Sequence, residues 1–187
     1  MNKSILIILF SILGLSMADA AQNPATEADV LAFAKTINMG CNEGAPVTVE
    51  KIVYSFNYSY EKPTDPKHNR VYFTITCIAG AYNESSILIL DDEYDGLRII
   101  PLASPSVNSK SLVTGMTASL EVGGLTYDKQ TKTLTSYHKG RGIGDMSSSG
   151  TYVFSEDEVI LRKYELDNTS DEKINPKVIY ESKKSLN

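Results

Sequence analysis

From Val47 onward apolar residues recur at every second position, and this alternation dominates the chain. Ile52, Tyr54, Phe56, Tyr58 and Tyr60 alternate with Lys51, Val53, Ser55, Asn57 and Ser59. Side chains at i, i+2 and i+4 share one face of a strand, so the stretch predicts a strand with an aromatic face and a mostly polar one. Lys62-Pro63-Thr64-Asp65-Pro66 breaks it, because proline cannot donate to a ladder. Val71, Phe73, Ile75 and Cys77 predict a second strand. The unbroken run Ile87-Leu88-Ile89-Leu90 predicts a third, central one, since a strand covered on both faces loses its alternation. Asp95-Gly96 is a turn pair before a short strand at 97–101, and the Ser-, Pro- and Asn-rich residues 103–115 read as a long loop. Further strands are expected at 119–122, 125–127 and 133–137, then as a hairpin of 150–154 and 159–166, and finally at 177–180.

Before Val47 the period is different. Val30, Phe33, Ala34 and Ile37 recur at helical spacing. Thr26 and Asp29 form a variant of the helix-start box, Glu27 adds favourable charge to the first turn, and Gly40 stops the pattern. One helix is expected over 27–38. Strands joined by short turns pair antiparallel, because parallel pairs need long crossovers. The fold class is therefore mainly β (α+β): an antiparallel sheet or sandwich of about eight to ten strands with one N-terminal helix.

The first twenty residues read as a signal peptide. Lys3 supplies the positive start, Ile5 to Leu15 a short apolar run, and Ala18-Asp19-Ala20 small side chains at the two positions a signal peptidase must accept. The run is shorter than the roughly 20 residues of a membrane span. Cleavage after Ala20 leaves a single globular domain, 21–187, with no membrane attachment. The net charge is −5, and loss of Lys3 and Asp19 leaves it unchanged. An acidic domain with no basic cluster lacks the electrostatics of a nucleic-acid binder. The expected location is periplasmic or secreted.

Cys41 and Cys77 are the two cysteines of the chain, and in an oxidising compartment such a pair usually bonds. The closed loop would add about 3–4 kcal/mol if unstrained. Two Cys and two His give no zinc-ligand spacing. No cofactor is expected.

Four segments carry candidate chemistry. The Tyr54–Tyr60 aromatic stripe reads as core and core rim before it reads as a stacking surface. Asp91, Glu93, Asp95 and Gly96 occupy the first, third, fifth and sixth places of a calcium loop, but Leu102 stands where the bidentate carboxylate belongs. This is a weak metal candidate. The acidic connection 167–172 lacks the turn glycine and reads as a solvated loop. The segment His138-Lys139-Gly140-Arg141-Gly142-Ile143-Gly144-Asp145 is the densest. Arg141 can clamp an anion in bidentate fashion, His138 can act as acid or base near neutrality, and Ser147, Ser148 and Ser149 follow. No nucleophile turn surrounds them. The plainer reading is a Gly-rich loop pinned by Arg141 and Asp145. Asn57, Asn83 and Asn168 each open a glycosylation sequon, which matters only in a eukaryotic source.

Cys77-Ile78-Ala79-Gly80-Ala81-Tyr82-Asn83, the block from Leu134 through the Gly-Arg-Gly-x-Gly-Asp of 140–145, and the stretch from Leu161 to Glu181 together resemble an exported bacterial family known as domain of unknown function 1176. The resemblance covers about residues 75–181 and implies a Gram-negative periplasmic or secreted protein. It supplies no activity, substrate or catalytic residue. Many relatives place a cysteine directly after the Gly-Asp pair, where this chain has Met146, so the second disulfide of those relatives is not expected.

These readings converge on a non-enzymatic binding or interaction module of the bacterial envelope. Its partner would be an envelope protein or small ligand, and its candidate binding residues are Tyr82, Asn83, His138, Lys139, Arg141 and Asp145. A small periplasmic hydrolase using His138 and a calcium-steadied structural domain are the alternatives.

Overall fold

The computed structural model describes residues 23–37, 47–78, 83–156 and 158–182. The expected leader 1–20, Gly40 and Tyr82 lie outside these residues, and so does the expected Cys41–Cys77 bond. Among the described residues the order is α1 (Glu27–Thr36), β1 (Val47–Phe56), β2 (His68–Ile78), β3 (Glu84–Asp92), β4 (Gly96–Ile99), β5 (Leu102–Val107), β6 (Val113–Ser119), β7 (Val122–Asp128), β8 (Thr133–Lys139), β9 (Ser147–Phe154), β10 (Val159–Asp167) and β11 (Lys177–Glu181). The fold is mainly β, as the alternation predicts. Nine strands form one antiparallel sheet in the order β1-β2-β3-β7-β8-β9-β10-β11, with β4 also on β3, and β5 and β6 make a separate ribbon.

The helix starts where its sequence says it should. Asp29 N–H donates to Thr26 Oγ1 at 3.3 Å and Thr26 N–H donates to Asp29 Oδ2 at 2.9 Å, closing the reciprocal cap. The same Thr26 bonds hold the Asp29 carboxyl below the usual aspartate range. Ala25 N–H donates to Asp91 Oδ2 at 2.8 Å, tying the helix entry to β3. Val30 and Ala34 are buried against Phe73, Ile75, Ile87 and Ile89, one turn apart on one helix face.

The other face of the same strands supplies the main core. Ile52, Tyr72, Leu88 and Leu90 from β1–β3 pack with Leu125, Leu134, Tyr152, Phe154 and Leu161 from β7–β10, and with Leu102 of the ribbon. Phe154 touches Tyr54, Tyr72 and Tyr127 with ring centroids 5.6, 4.8 and 5.7 Å apart. Strands far apart in the sheet order meet on one face, so the sheet folds over on itself. The 87–90 run is buried throughout because β3 is covered on both sides. Each such side chain contributes about 1.5–3 kcal/mol relative to exposure. Among the described residues the ladders of the two halves join where β3 meets β7, through Ser85↔Gly123 and Ser86↔Val122.

Two expectations needed correction. Residues 103–115 are not a long loop: they hold most of β5 and the start of β6, two strands paired from Leu102↔Ser119 to Val107↔Val113. Pro105 suggested a loop, yet a two-stranded ribbon has an outer edge where proline is tolerated. The aromatic strand also ends sooner than the stripe does. β1 stops at Phe56, and Tyr58 and Tyr60 stack on each other in the following loop, 5.2 Å apart and 6° from parallel. That loop is shaped by Glu61 Oε2, which accepts from Tyr58 N–H at 2.9 Å, and by Glu156 Oε2, which accepts from Ser59 N–H at 3.0 Å.

Candidate binding site

The corner around His138 is built by strand register. In β8 and β9, His138 lies opposite Ser148 and Ser136 opposite Gly150, so these residues share one face with Tyr152. Gly123 of β7 completes the corner. A Cβ there would lie 2.3 Å from Tyr137 O and 2.9 Å from His138 Cβ, so only glycine permits this approach of β7 to β8.

The Gly-rich connection after β8 is a pinned turn. Gly140 N–H donates to Met146 O at 2.6 Å, and Gly144, at φ +81°, donates to Arg141 O at 3.0 Å. Arg141 grips Asp145 through Nε at 2.6 Å and Nη2 at 2.5 Å. Asp145 is 0% exposed and also accepts from Glu172 N–H at 3.0 Å. Charge-assisted bidentate pairing of this kind fixes geometry. The guanidinium that could have clamped an anionic ligand is spent on the chain's own carboxylate.

Asn83 is the residue that joins the two sequence blocks. Its Oδ1 accepts from Lys139 N–H at 2.8 Å, and its Nδ2 donates to Lys139 O at 2.7 Å and faces His138 Nε2 at 3.3 Å. The Lys139 backbone fixes which end of the amide is nitrogen. Nε2 of His138 must therefore accept, leaving the ring proton on Nδ1. Asn83, His138 and Lys139 thus come together. Arg141 and Asp145 are paired with each other in the adjoining turn, and Lys139 takes part through its backbone. Among the described residues the exposed His138 ring hydrogen-bonds to Asn83, with Ser148 opposite it in the ladder and Glu121 lining the same recesses. Acyl transfer needs a base hydrogen-bonded to a nucleophile, and among the described residues the hydrogen bond of the His138 ring runs to Asn83.

Two recesses meet at His138. The outer one, ≈ 510 Å³, runs from Asn83, Glu84 and Ser85 past Glu121 to His138. The inner one, ≈ 200 Å³, shares Glu121, Val122, Gly123 and His138 and continues under the ribbon. Ser104 and Ser119 line it from β5 and β6, and Ser136, Ser148, Tyr152 and Tyr164 from the sheet. Tyr152 is 1% exposed, and its buried hydroxyl has the Ser136 hydroxyl as its hydrogen-bonding neighbour. Ser136 Oγ also accepts from Gly150 N–H at 3.2 Å, which leaves its own proton free to donate. Burial pushes the phenol pKa up, and its hydrogen bond with the Ser136 hydroxyl pulls it partly back.

Sequence reasoning passed over Glu121, Ser136, Tyr152 and Tyr164. Ser136 and His138 do stand two apart in β8, which places them on one face. Their partners depend on cross-strand register and on the ribbon, and reading 103–115 as a loop hid Ser104 and Ser119.

The other candidates are structural. Asp91 accepts from Ala25 N–H, while Asp92 Oδ1 accepts from Tyr94 N–H at 2.9 Å and Asp95 N–H at 3.1 Å. Among the described residues no three His, Cys, Asp or Glu side chains gather as a metal site, so Asp91, Glu93 and Asp95 do not converge. The 167–172 connection is not simply solvated. Asp167 is buried and accepts from Asn175 N–H at 2.8 Å, Thr169 Oγ1 at 2.7 Å and Thr169 N–H at 3.1 Å.

No family model, curated protein or solved structure matches this chain. What the corner can bind is read from its own geometry.

Proposed function

We propose that the chain is an exported, non-enzymatic binding module of the bacterial envelope, and that its ligand enters the recess at His138. The observation that carries this reading is the pairing of open volume with spent catalytic groups. The recess of ≈ 510 Å³ opens beside His138, while the imidazole faces an amide and Arg141 is closed on Asp145. Such a site has hydrogen-bonding groups and space but no assembled acid–base pair. The N-terminal leader, the acidic charge and the resemblance to an exported family support the location. The Asn83 contacts join two of the three sequence blocks on which that resemblance rests.

The test is capture of periplasmic components on the immobilised chain, comparing wild type with His138→Ala and Glu121→Gln, alongside fractionation of the expressed protein. A component held by wild type and lost from both variants supports the reading. Equal recovery on all three, or a native chain found in the cytosol with its leader intact, overturns it.

A further inference from the structure

We infer that β6, the outer strand of the β5–β6 ribbon, is a self-pairing edge: two copies of this chain join β6 to β6, antiparallel, about a two-fold axis. This stands apart from the reading of the His138 corner. Among the described residues β6 pairs with β5 and with no other strand. Residues 113–118 are exposed, nearly the whole of the strand.

Register decides which backbone groups face outward. Pro105 lies opposite Met116 and has no N–H, so that pair is one that exchanges no ladder bonds. The bonds fall on the flanking pairs, Ser104↔Thr117 and Ser106↔Gly115, and Thr117 Oγ1 also donates to Ser104 O at 3.2 Å. The N–H and C=O of Met116, and those of Ala118 two residues on, therefore point away from β5. On the other side of the ribbon Pro105 lacks the N–H that would complete the β5 edge. Of the two edges, β6 offers the fuller row of donors and acceptors.

The chemistry of the edge selects a second copy. Natural edge strands are blunted by charge or proline. β1 carries Glu50 and Lys51 at mid-strand, and β11 runs from Lys177 to Glu181 directly after Pro176. β6, Val113-Thr114-Gly115-Met116-Thr117-Ala118-Ser119, carries neither device. The chain has a net charge of −5, so two copies repel at long range, yet along β6 they set no like charges opposite each other. An antiparallel pair centred on Thr117 sets Met116 of each copy against Ala118 of the other, and both of these pairs exchange bonds. It also lays the tip of one ribbon, with Lys110, toward the base of the other, with Glu121. A parallel pair would lay like charge beside like. Met116, 48% exposed, is covered in the same step. A foreign extended segment would find the same bonds without this match of ends. One strand pair buries less than the about 1,000 Å² of a lasting interface, so the dimer is weak and forms as concentration rises.

The experiment is analytical ultracentrifugation of the purified chain from about 10 μM to about 1 mM, with amide hydrogen exchange read at both ends of that range. Wild type is expected to pass from monomer toward dimer. Exchange should slow with concentration at the Met116 and Ala118 amides and stay constant at Thr117, whose N–H already faces β5. Met116→Lys sets like charges beside the axis and should weaken association at least about tenfold. Because Met116 is exposed, the melting temperature of the dilute variant should match wild type. Ala118→Pro removes an outward N–H and should weaken association as strongly, and Met116→Lys carries the test if Ala118→Pro does not fold. A wild type that stays monomeric throughout overturns the inference, as does a dimer equally strong in the folded variants. So do Met116 and Ala118 amides already protected in the dilute monomer, which would mean that the edge is covered within one chain. A dimer that forms without added protection at these two amides overturns it as well, since its contact would lie elsewhere.

Discussion

Asn83 hydrogen-bonds both backbone polar groups of Lys139, 56 positions further along the chain, so one side-chain amide stands in for a rung of a β-ladder. Because Asn83 precedes β3 and Lys139 ends β8, this contact fastens the corner where the two halves of the sheet meet. Asn83→Ala strands a partly buried N–H and C=O and is expected to cost about 1–3 kcal/mol. Asn83→Asp retains the acceptor but loses the donor to Lys139 O. Urea-unfolding midpoints should rank wild type above both variants, and an unchanged midpoint for Asn83→Ala would remove the contact from the account.

The Arg141–Asp145 pair gives a second prediction. Removing Arg141 leaves a buried carboxylate with only the Glu172 N–H and no counter-charge. Loss of a partner in an enclosed pair costs about 3–5 kcal/mol, and because solvent reaches Arg141, about 2–3 kcal/mol is expected for Arg141→Ala. Asp145→Asn keeps an acceptor for Glu172 N–H and frees an arginine that can reach water, so it should cost less. Hydrogen exchange should quicken at the Gly140, Gly144 and Glu172 amides in Arg141→Ala. Exchange unchanged there would mean that the glycine turn holds its shape without the pair.

Asp167 sets an acid limit. Its carboxylate accepts from Asn175 N–H and the Thr169 hydroxyl, and these bonds hold its pKa below the usual aspartate range, with the positive charge of Lys177 a smaller cause. A carboxyl with a lowered folded pKa contributes stability that is complete above the ordinary aspartate range. That contribution is lost as pH falls through the lower folded value. The melting temperature should therefore be flat near neutrality and fall only in that acidic window. Asp167→Asn should flatten part of the acid slope and leave a remainder, since Asp29, Asp92 and Asp128 are shifted the same way. An identical slope in the variant would contradict this.

Two glycines make a matched pair. Gly123→Ala drives a methyl into the Tyr137 carbonyl, a backbone atom that cannot step aside, and about 1–3 kcal/mol of destabilisation is expected. Gly115→Ala, in β6, meets nothing within 4 Å and should leave the melting temperature within error of wild type or slightly higher. Equal effects would mean that the β7–β8 approach is looser than described.

Elements set by local pattern were legible in the sequence. The helix declared itself through Thr26, Asp29 and the Val30–Ile37 spacing, and β3 through an apolar run too dense for a one-sided strand. Arg141 and Asp145 were legible as a turn-pinning pair because they lie four residues apart. What sequence could not supply was register. Nothing local says that Asn83 meets Lys139, that Ser148 lies opposite His138, or that Tyr152 reaches the floor beneath them. Composition misled at Pro105, since Ser and Pro suit a ribbon edge as well as a loop. It misled again at Asp167, where an acidic run hid a buried carboxylate with three donors.

The central claim is that ligands of this chain bind where β3, β7 and β8 meet. The most direct measurement is chemical-shift mapping of the ¹⁵N-labelled chain on addition of a small-molecule fraction from periplasm. The account predicts saturable shifts concentrated at Asn83–Ser85, Glu121–Gly123 and Ser136–His138, lost in His138→Ala. Shifts centred elsewhere, such as on the Tyr58–Tyr60 stack, or shifts untouched by His138→Ala, would contradict it.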